Sequence, residues 1–276
     1  MMPDAGLLDE LTEQVGSRRE ATWILEAVSE AGGHLDAARA RAIGARRAGG
    51  EPLQYLLGSW PFRGIELLVD PRALIPRPET EQVVEIALAA WRRLRPGGSS
   101  PTIVDLGTGS GAMGLSVAIE LAAEAPELLL SLCDISTDAL GLAASNAQRL
   151  GVSAELVAGS WFDALDPSRR GTIDLLVSNP PYVPRASSHS LAIELSYEPA
   201  LALFSDDAEG VPGLADAAQL IEEAPRWLSP GGILVIEMGE GQLDSAAGLA
   251  RRGGLVEVSI HEDLAGKPRA LCALRP

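Results

Sequence analysis

Cysteine is scarce in this chain of 276 residues: Cys133 and Cys272 are all it has, and both stand in apolar runs. At most one bridge could form, so a disulfide framework is excluded. The expectation is two small buried hydrophobes in a reducing compartment, the cytoplasm. Long apolar runs are missing as well, and none approaches the ~20 residues that a membrane-spanning helix needs. The start of the chain carries Asp4, Asp9, Glu10 and Glu13 and no basic residue before Arg18, the wrong charge for a secretory leader. Basic charge is short overall, with 22 Lys and Arg against 38 Asp and Glu and a net charge of -16. Such a surface repels a phosphate backbone and argues against a nucleic-acid substrate. Histidine is equally sparse: His34, His189 and His261 lie far apart and show no metal-ligand spacing, so no metal is expected. What remains is 46% hydrophobic and 22% charged, a globular composition long enough to bury a core without staples.

Residues 5–48 read as helices. Leu7, Leu8, Leu11 and Val15 recur at helical spacing, and Ser17-Arg18-Arg19-Glu20 has the form of a capping box opening a second helix. Gly32-Gly33 ends it, and a third helix runs from about Leu35 to Arg47. Its Arg39, Arg41, Arg46 and Arg47 read as a solvated face near the helix end or as a docking surface. Trp60 to Leu74 alternates like a β-hairpin, and Pro78 suits the first turn of a helix reaching about Leu94. Beyond Pro101, strands near 102–106, 128–133, 154–158, 173–177, 232–238, 255–260 and 269–274 alternate with helices, which predicts a parallel sheet covered on both faces. The longest irregular stretch is about 179–212.

The first of these strands, Ile103-Val104-Asp105-Leu106, leads into Gly107-Thr108-Gly109-Ser110-Gly111 and then a helix. Residues without Cβ let a tight strand-to-helix turn approach a ligand closely. Asp134 closes the next strand, where its carboxylate can accept ribose hydroxyls. The pattern is ambiguous. Gly109 to Gly114 also satisfies G-x-G-x-x-G, with Asp134 about 20 residues further on, as in a nicotinamide or flavin site. Asp105 at the strand end favours S-adenosylmethionine, whose aminoacyl end is a zwitterion rather than a pyrophosphate.

A second constellation, Asn179-Pro180-Pro181-Tyr182, follows the fourth core strand. Two prolines fix φ and remove two backbone donors. The side-chain carbonyl of Asn179 and the main-chain carbonyl of Pro180 can then accept both hydrogens of one NH₂ group, with the flat face of Tyr182 against the planar group. An amide or aryl amine nitrogen is a poor nucleophile because its lone pair is delocalised. Two acceptors on its hydrogens would aim it at a sulfonium methyl and favour its pyramidal transition state, with proton loss following transfer. A proline-rich turn closing a strand is the plain alternative.

From about residue 46 to the C-terminus the sequence resembles the HemK/PrmC-type protein-glutamine N-methyltransferases. The resemblance rests on Gly50-Glu51-Pro52-Leu53-Gln54-Tyr55, Leu74-Ile75-Pro76-Arg77-Pro78-Glu79-Thr80-Glu81 and Asp105 to Gly111. It continues through Asp134-Ile135-Ser136, Ser178 to Tyr182, Glu198-Pro199-Ala200-Leu201 and Asp263 to Arg269. The Ile-Pro-Arg-Pro-Glu-Thr segment is the most specific of these, whereas Asn-Pro-Pro-Tyr is shared with amino methyltransferases of DNA and RNA. Residues 1–45 match only in helical character, and Ala192 to Glu198 is looser than the family pattern. The resemblance implies an α/β fold: a Rossmann-like methyltransferase domain over 77–276, seven-stranded with its last strand antiparallel. A helical substrate-recognition domain over 1–58 and a hairpin linker over 59–76 would precede it. It implies that Gly107, Thr108, Gly109, Ser110, Gly111, Asp134, Trp161 and Asn179 contact S-adenosylmethionine, with Trp161 beside the adenine. Asn179, Pro180, Pro181 and Tyr182 would grip a glutamine of a peptide chain release factor, while Arg77 and Glu79 shape its pocket or pair with each other. A glutamine of a ribosomal protein and an adenine amino group are the alternative acceptors. A monomer without direct nucleic-acid contact completes the expectation.

Overall fold

The structure is a computed structural model that describes residues 5–29, 35–94, 100–190 and 192–276. It begins with helices α1 (Ala5–Val15), α2 (Arg18–Ala27), α3 (Ala37–Ala48) and the short α4 (Leu53–Leu57). Leu7, Leu8, Leu11, Ile24, Leu25 and Ile43 bury against one another as a core of their own. The predicted stop at Gly32-Gly33 lies outside the described residues. Ser17 caps α2 as expected, its hydroxyl accepting the Glu20 N–H at 3.3 Å. The reciprocal half of the capping box is absent, because the Glu20 carboxylate is bound by Arg47 at 2.6 Å instead. A full guanidinium charge outcompetes a backbone N–H for that carboxylate. Asp36, overlooked in the sequence, caps α3 through the Arg39 N–H. Nor is the arginine cluster merely a solvated face. Arg41 binds Glu10, Arg46 binds Glu51, and Arg47 binds both Glu20 and Glu194.

A hairpin of β1 (Ser59–Phe62) and β2 (Ile65–Leu68) follows, shorter than the Trp60–Leu74 stretch suggested. Phe62 and Leu67 pack into the same core as the next helix, α5 (Pro78–Leu94). Arg63 at the turn reaches the Glu120 and Glu85 carboxylates and the Glu81 carbonyl, which fastens the hairpin down.

The remaining elements alternate: β3 (Thr102–Leu106), α6 (Ala112–Leu121), β4 (Leu129–Asp134), α7 (Thr137–Leu150), β5 (Glu155–Ala158) and β6 (Ile173–Ser178). After the predicted irregular stretch, which contains the short β7 (Val183–Pro184), α8 (Ala200–Leu203) and β8 (Phe204–Ser205), come α9 (Ala215–Trp227) and β9 (Leu228–Glu237). The chain closes with α10 (Leu243–Arg252), β10 (Val256–Glu262) and β11 (Pro268–Leu274). The main sheet has seven strands in the order β10-β11-β9-β6-β3-β4-β5, and β11 alone runs against both of its neighbours. This is the α/β arrangement expected, with an antiparallel last strand. Side chains alternate faces along each strand. Ile103, Leu132, Leu175, Val177, Ile233 and Val235 share one core with α5, α6 and α7. Val104, Cys133, Leu176, Leu234 and Ile236 share the other with α9 and α10. Both cysteines are buried and free.

Chain order reverses between β3 and β6: β4 and β5 extend the sheet one way, β9 the other. At such a switch point the loops leave in opposite directions and open a crevice beyond the carboxyl ends of the strands. The Gly-rich loop follows β3 and Asn179 follows β6, so topology alone puts both sequence constellations at this crevice.

Candidate active site

A cavity of about 290 Å³ opens at that crevice, close to the lower end of the ~300–1,000 Å³ typical of small-molecule sites. Gly107, Thr108, Gly109, Ser110, Asp134, Trp161, Asn179, Pro181 and Arg77 border it, as do Asp105 and Thr80. Gly111, Pro180, Tyr182 and Glu79 are not on its wall. Gly111 stands one step back as the left-handed N-cap of α6.

The loop is held from behind by carboxylates. Asp105 accepts the Thr108 hydroxyl at 2.7 Å and the Gly114 N–H at 2.9 Å. Asp134 accepts the Gly109 N–H and the Ser136 N–H, each at 2.9 Å, so part of its acceptor capacity is spent on the loop and the rest is left for a ligand. The N–H groups of Gly107 and Thr108 bind the Cys133 carbonyl, and that of Gly111 binds the Thr108 carbonyl. Asn146, fully buried, ties the Ser110 carbonyl to the backbone of Leu68 in the hairpin. A dinucleotide site needs loop N–H groups free for a pyrophosphate. Here four of them, those of Gly107, Thr108, Gly109 and Gly111, are satisfied internally, one by a carboxylate that would repel phosphate. Burial lifts the Asp105 carboxyl to about 6 despite its two hydrogen bonds, and burial likewise raises Asp134. A cationic ligand group beside these carboxylates would offset that desolvation. The cradle therefore fits a sulfonium and ammonium donor, and the dinucleotide alternative is set aside.

Trp161 supplies the flat wall. It starts a 3-10 turn with φ 46° and anchors its indole N–H on Asp216 at 3.2 Å. Gly107 has φ +72°, and a Cβ there would stand 3.0 Å from the Trp161 ring.

On the other side of the crevice, Asn179 donates from its amide nitrogen to the Thr80 hydroxyl at 3.3 Å. Thr80 in turn donates to Glu237 at 2.6 Å. The Asn179 side-chain carbonyl oxygen is enclosed and without a hydrogen-bond partner. An unpaired buried acceptor costs about 1–3 kcal/mol, and the residue that carries this one borders the cavity. Tyr182 lies behind the wall. Its carbonyl accepts from Gln242, its ring packs near Gly239, and burial pushes its hydroxyl up to about 12. Burial raises the carboxyl of Glu237 to about 7, with Thr80, Arg269 and Tyr182 holding it lower than burial alone would.

Arg77 does not pair with Glu79. It binds Glu198, whose side chain is 1% exposed and whose other oxygen accepts the Ile75 N–H at 3.0 Å. The buried Glu198 takes the guanidinium, while Glu79 belongs to the first turn of α5. Sequence reasoning also missed Thr80 and Glu237 as parts of the site. Glu237 had a readable sign: like Asp134, it is an acidic residue closing an apolar strand.

Residues 88–205 match the family model described as Methyltransferase small domain. The chain is 40% identical over 259 residues to the release factor glutamine methyltransferase of Bordetella pertussis, covering 94% of this chain and 90% of that protein. It is 42% identical over 233 residues to the one from Neisseria gonorrhoeae, covering 84% and 79%. A methyltransferase of Pyrococcus furiosus shares the fold, with a TM-score of 0.52 at 18% identity over 77% of this chain and 90% of that one.

Proposed function

The chain belongs to the release factor glutamine methyltransferases, and from that premise we propose that it methylates a glutamine side-chain amide in the Gly-Gly-Gln motif of a peptide chain release factor. When bound, S-adenosylmethionine supplies an electrophilic methyl carbon on a sulfonium sulfur. Gly107 to Ser110, Asp105, Asp134 and Trp161 would hold it, the carboxylates matching its positive charge. The observation that carries the acceptor side is the Asn179 amide, clamped through its nitrogen by Thr80 with its oxygen left unpaired.

In this reading Asn179 accepts one hydrogen of the glutamine NH₂ and the Pro180 carbonyl accepts the other, while Tyr182 backs the turn that presents them. Fixing both hydrogens orients the nitrogen lone pair toward the methyl carbon and removes the entropy of finding that alignment. The nitrogen gains a C–N bond as the C–S bond breaks with its electron pair staying on sulfur. One N–H proton then leaves to solvent, which restores a neutral methylamide. The surface charge of -16 fits a protein acceptor better than RNA or DNA. A monomer acting in the cytoplasm completes the proposal.

The test is methyl transfer from labelled donor to purified release factor, followed by peptide mass spectrometry. One added methyl on the glutamine of Gly-Gly-Gln supports the proposal. Label on ribosomal protein, RNA or DNA, with none on release factor, overturns it.

A further inference from the structure

Glu237 is a fully buried carboxylate that no step above uses. It closes β9 on the same sheet face as Ile233 and Val235, against α5, and is one hydrogen bond from Thr80 and two from Asn179. The two ends of an asparagine amide have nearly the same shape, so packing alone does not choose which end faces the cavity. The polarity of the partner chooses. An ionised carboxylate only accepts, so the single hydrogen of the Thr80 hydroxyl must go to Glu237. The Thr80 oxygen can then only accept, and the Asn179 group facing it must be the NH₂.

We propose, on the reading of Asn179 given above, that Thr80 and Glu237 are positioning residues: the carboxylate sets the direction of the Glu237–Thr80–Asn179 chain and thereby leaves the Asn179 carbonyl free for the substrate N–H. A group that can also donate, in place of the carboxylate, no longer fixes the direction and lets the chain reverse. Thr80 then donates to the Asn179 oxygen, the Asn179 NH₂ is turned toward the substrate NH₂, and two donors meet where a donor and an acceptor are needed. The other groups around Glu237 are Glu79 on α5, Tyr182 and Arg269 on β11, with Arg269 and the Tyr182 hydroxyl supporting the ionised form. Protonation of Glu237 should act as the amide substitution does, giving kcat an acid limb that rises with pH through about 7.

The experiment compares Glu237→Gln, Thr80→Val and Thr80→Ser with the unmodified protein, using release factor as substrate and calorimetry for donor binding. Glu237→Gln and Thr80→Val should each lower kcat on the order of 10²-fold, the scale for losing one preorganised polar contact. Donor Kd should stay within about threefold. Thr80→Ser keeps the hydroxyl and should recover most of the rate. The acid limb should vanish in Glu237→Gln. In an Asn179→Ala background, Thr80→Val should add almost nothing, since the pair acts as one unit. If Glu237→Gln fails to fold, the Thr80 pair decides: equal kcat for Val and Ser overturns the proposal. So does near-normal kcat in a folded Glu237→Gln. Those outcomes leave glutamine methylation standing, whereas an unmodified protein that does not methylate release factor removes the functional reading itself.

Discussion

Gly107 and Trp161 meet so closely that a Cβ on the glycine would lie 3.0 Å from the indole ring. The first residue of the loop and the flat wall of the cavity are therefore one surface, and the glycine also holds a left-handed φ of +72°. Gly107→Ala should pay about 1–2 kcal/mol for that backbone and push Trp161 aside. Donor affinity should fall about tenfold or more by calorimetry, with the fold retained by circular dichroism. Unchanged donor affinity would show that Trp161 is not part of the donor site.

Asn179→Ala removes the unpaired acceptor while leaving the carboxylate-braced loop intact. Turnover on release factor should drop on the order of 10²–10³-fold, with donor Kd changed only a few-fold. Near-normal single-turnover rates would sink the assigned role of Asn179.

Arg77→Ala leaves the buried Glu198 carboxylate with only the Ile75 N–H. Breaking a buried ion pair costs about 3–5 kcal/mol, and the partial exposure of Arg77 places the expected loss near the lower figure. Urea denaturation should show it, and Glu198→Gln added to Arg77→Ala should recover part of the loss. A single substitution without effect on the midpoint would mean that the pair is not structural.

Two buried carboxyls give a pH dependence whose sign is fixed. Asp105 at about 6 and Glu237 at about 7 are both raised above their unfolded values by burial. Each contributes its full share of stability below the unfolded value, and that share is lost as pH rises through the folded value. The denaturation midpoint of Glu237→Gln should therefore gain on that of the unmodified protein between about pH 4.5 and 7. A constant difference over that window would exclude the shift.

Much of this was legible in the sequence because parity along a strand is simple. Ile103 and Asp105, Leu132 and Asp134, Val177 and Asn179, and Val235 and Glu237 are each two residues apart. In each pair an apolar residue facing α5, α6 and α7 is followed, on the same face, by a polar one at the strand end. Asp105, Asp134 and Asn179 stood out because a recognisable loop or motif adjoins them, and Glu237 carries the same signal without one. Long-range partners were not legible. Thr80 lies 99 residues from Asn179, and Arg77 lies 121 from Glu198. No local rule pairs residues at such separations. The Glu20 half of the capping box failed for the same reason, since a strong cation 27 residues away claimed that carboxylate, while the Ser17 half formed.

Arg47 grips Glu20 on α2 with one side of its guanidinium and Glu194 with the other, while Tyr197 reaches the Gly49 carbonyl and Ile193 fills the space over Gly50. The 193–197 turn runs directly into Pro199 and Leu201 at the cavity rim. The leading helices are thus not a handle that can be exchanged at will between relatives. A transplant that brings in a foreign helical segment without an arginine at this place would leave one lip of the catalytic crevice without its buttress, even if every residue from 77 onward were kept.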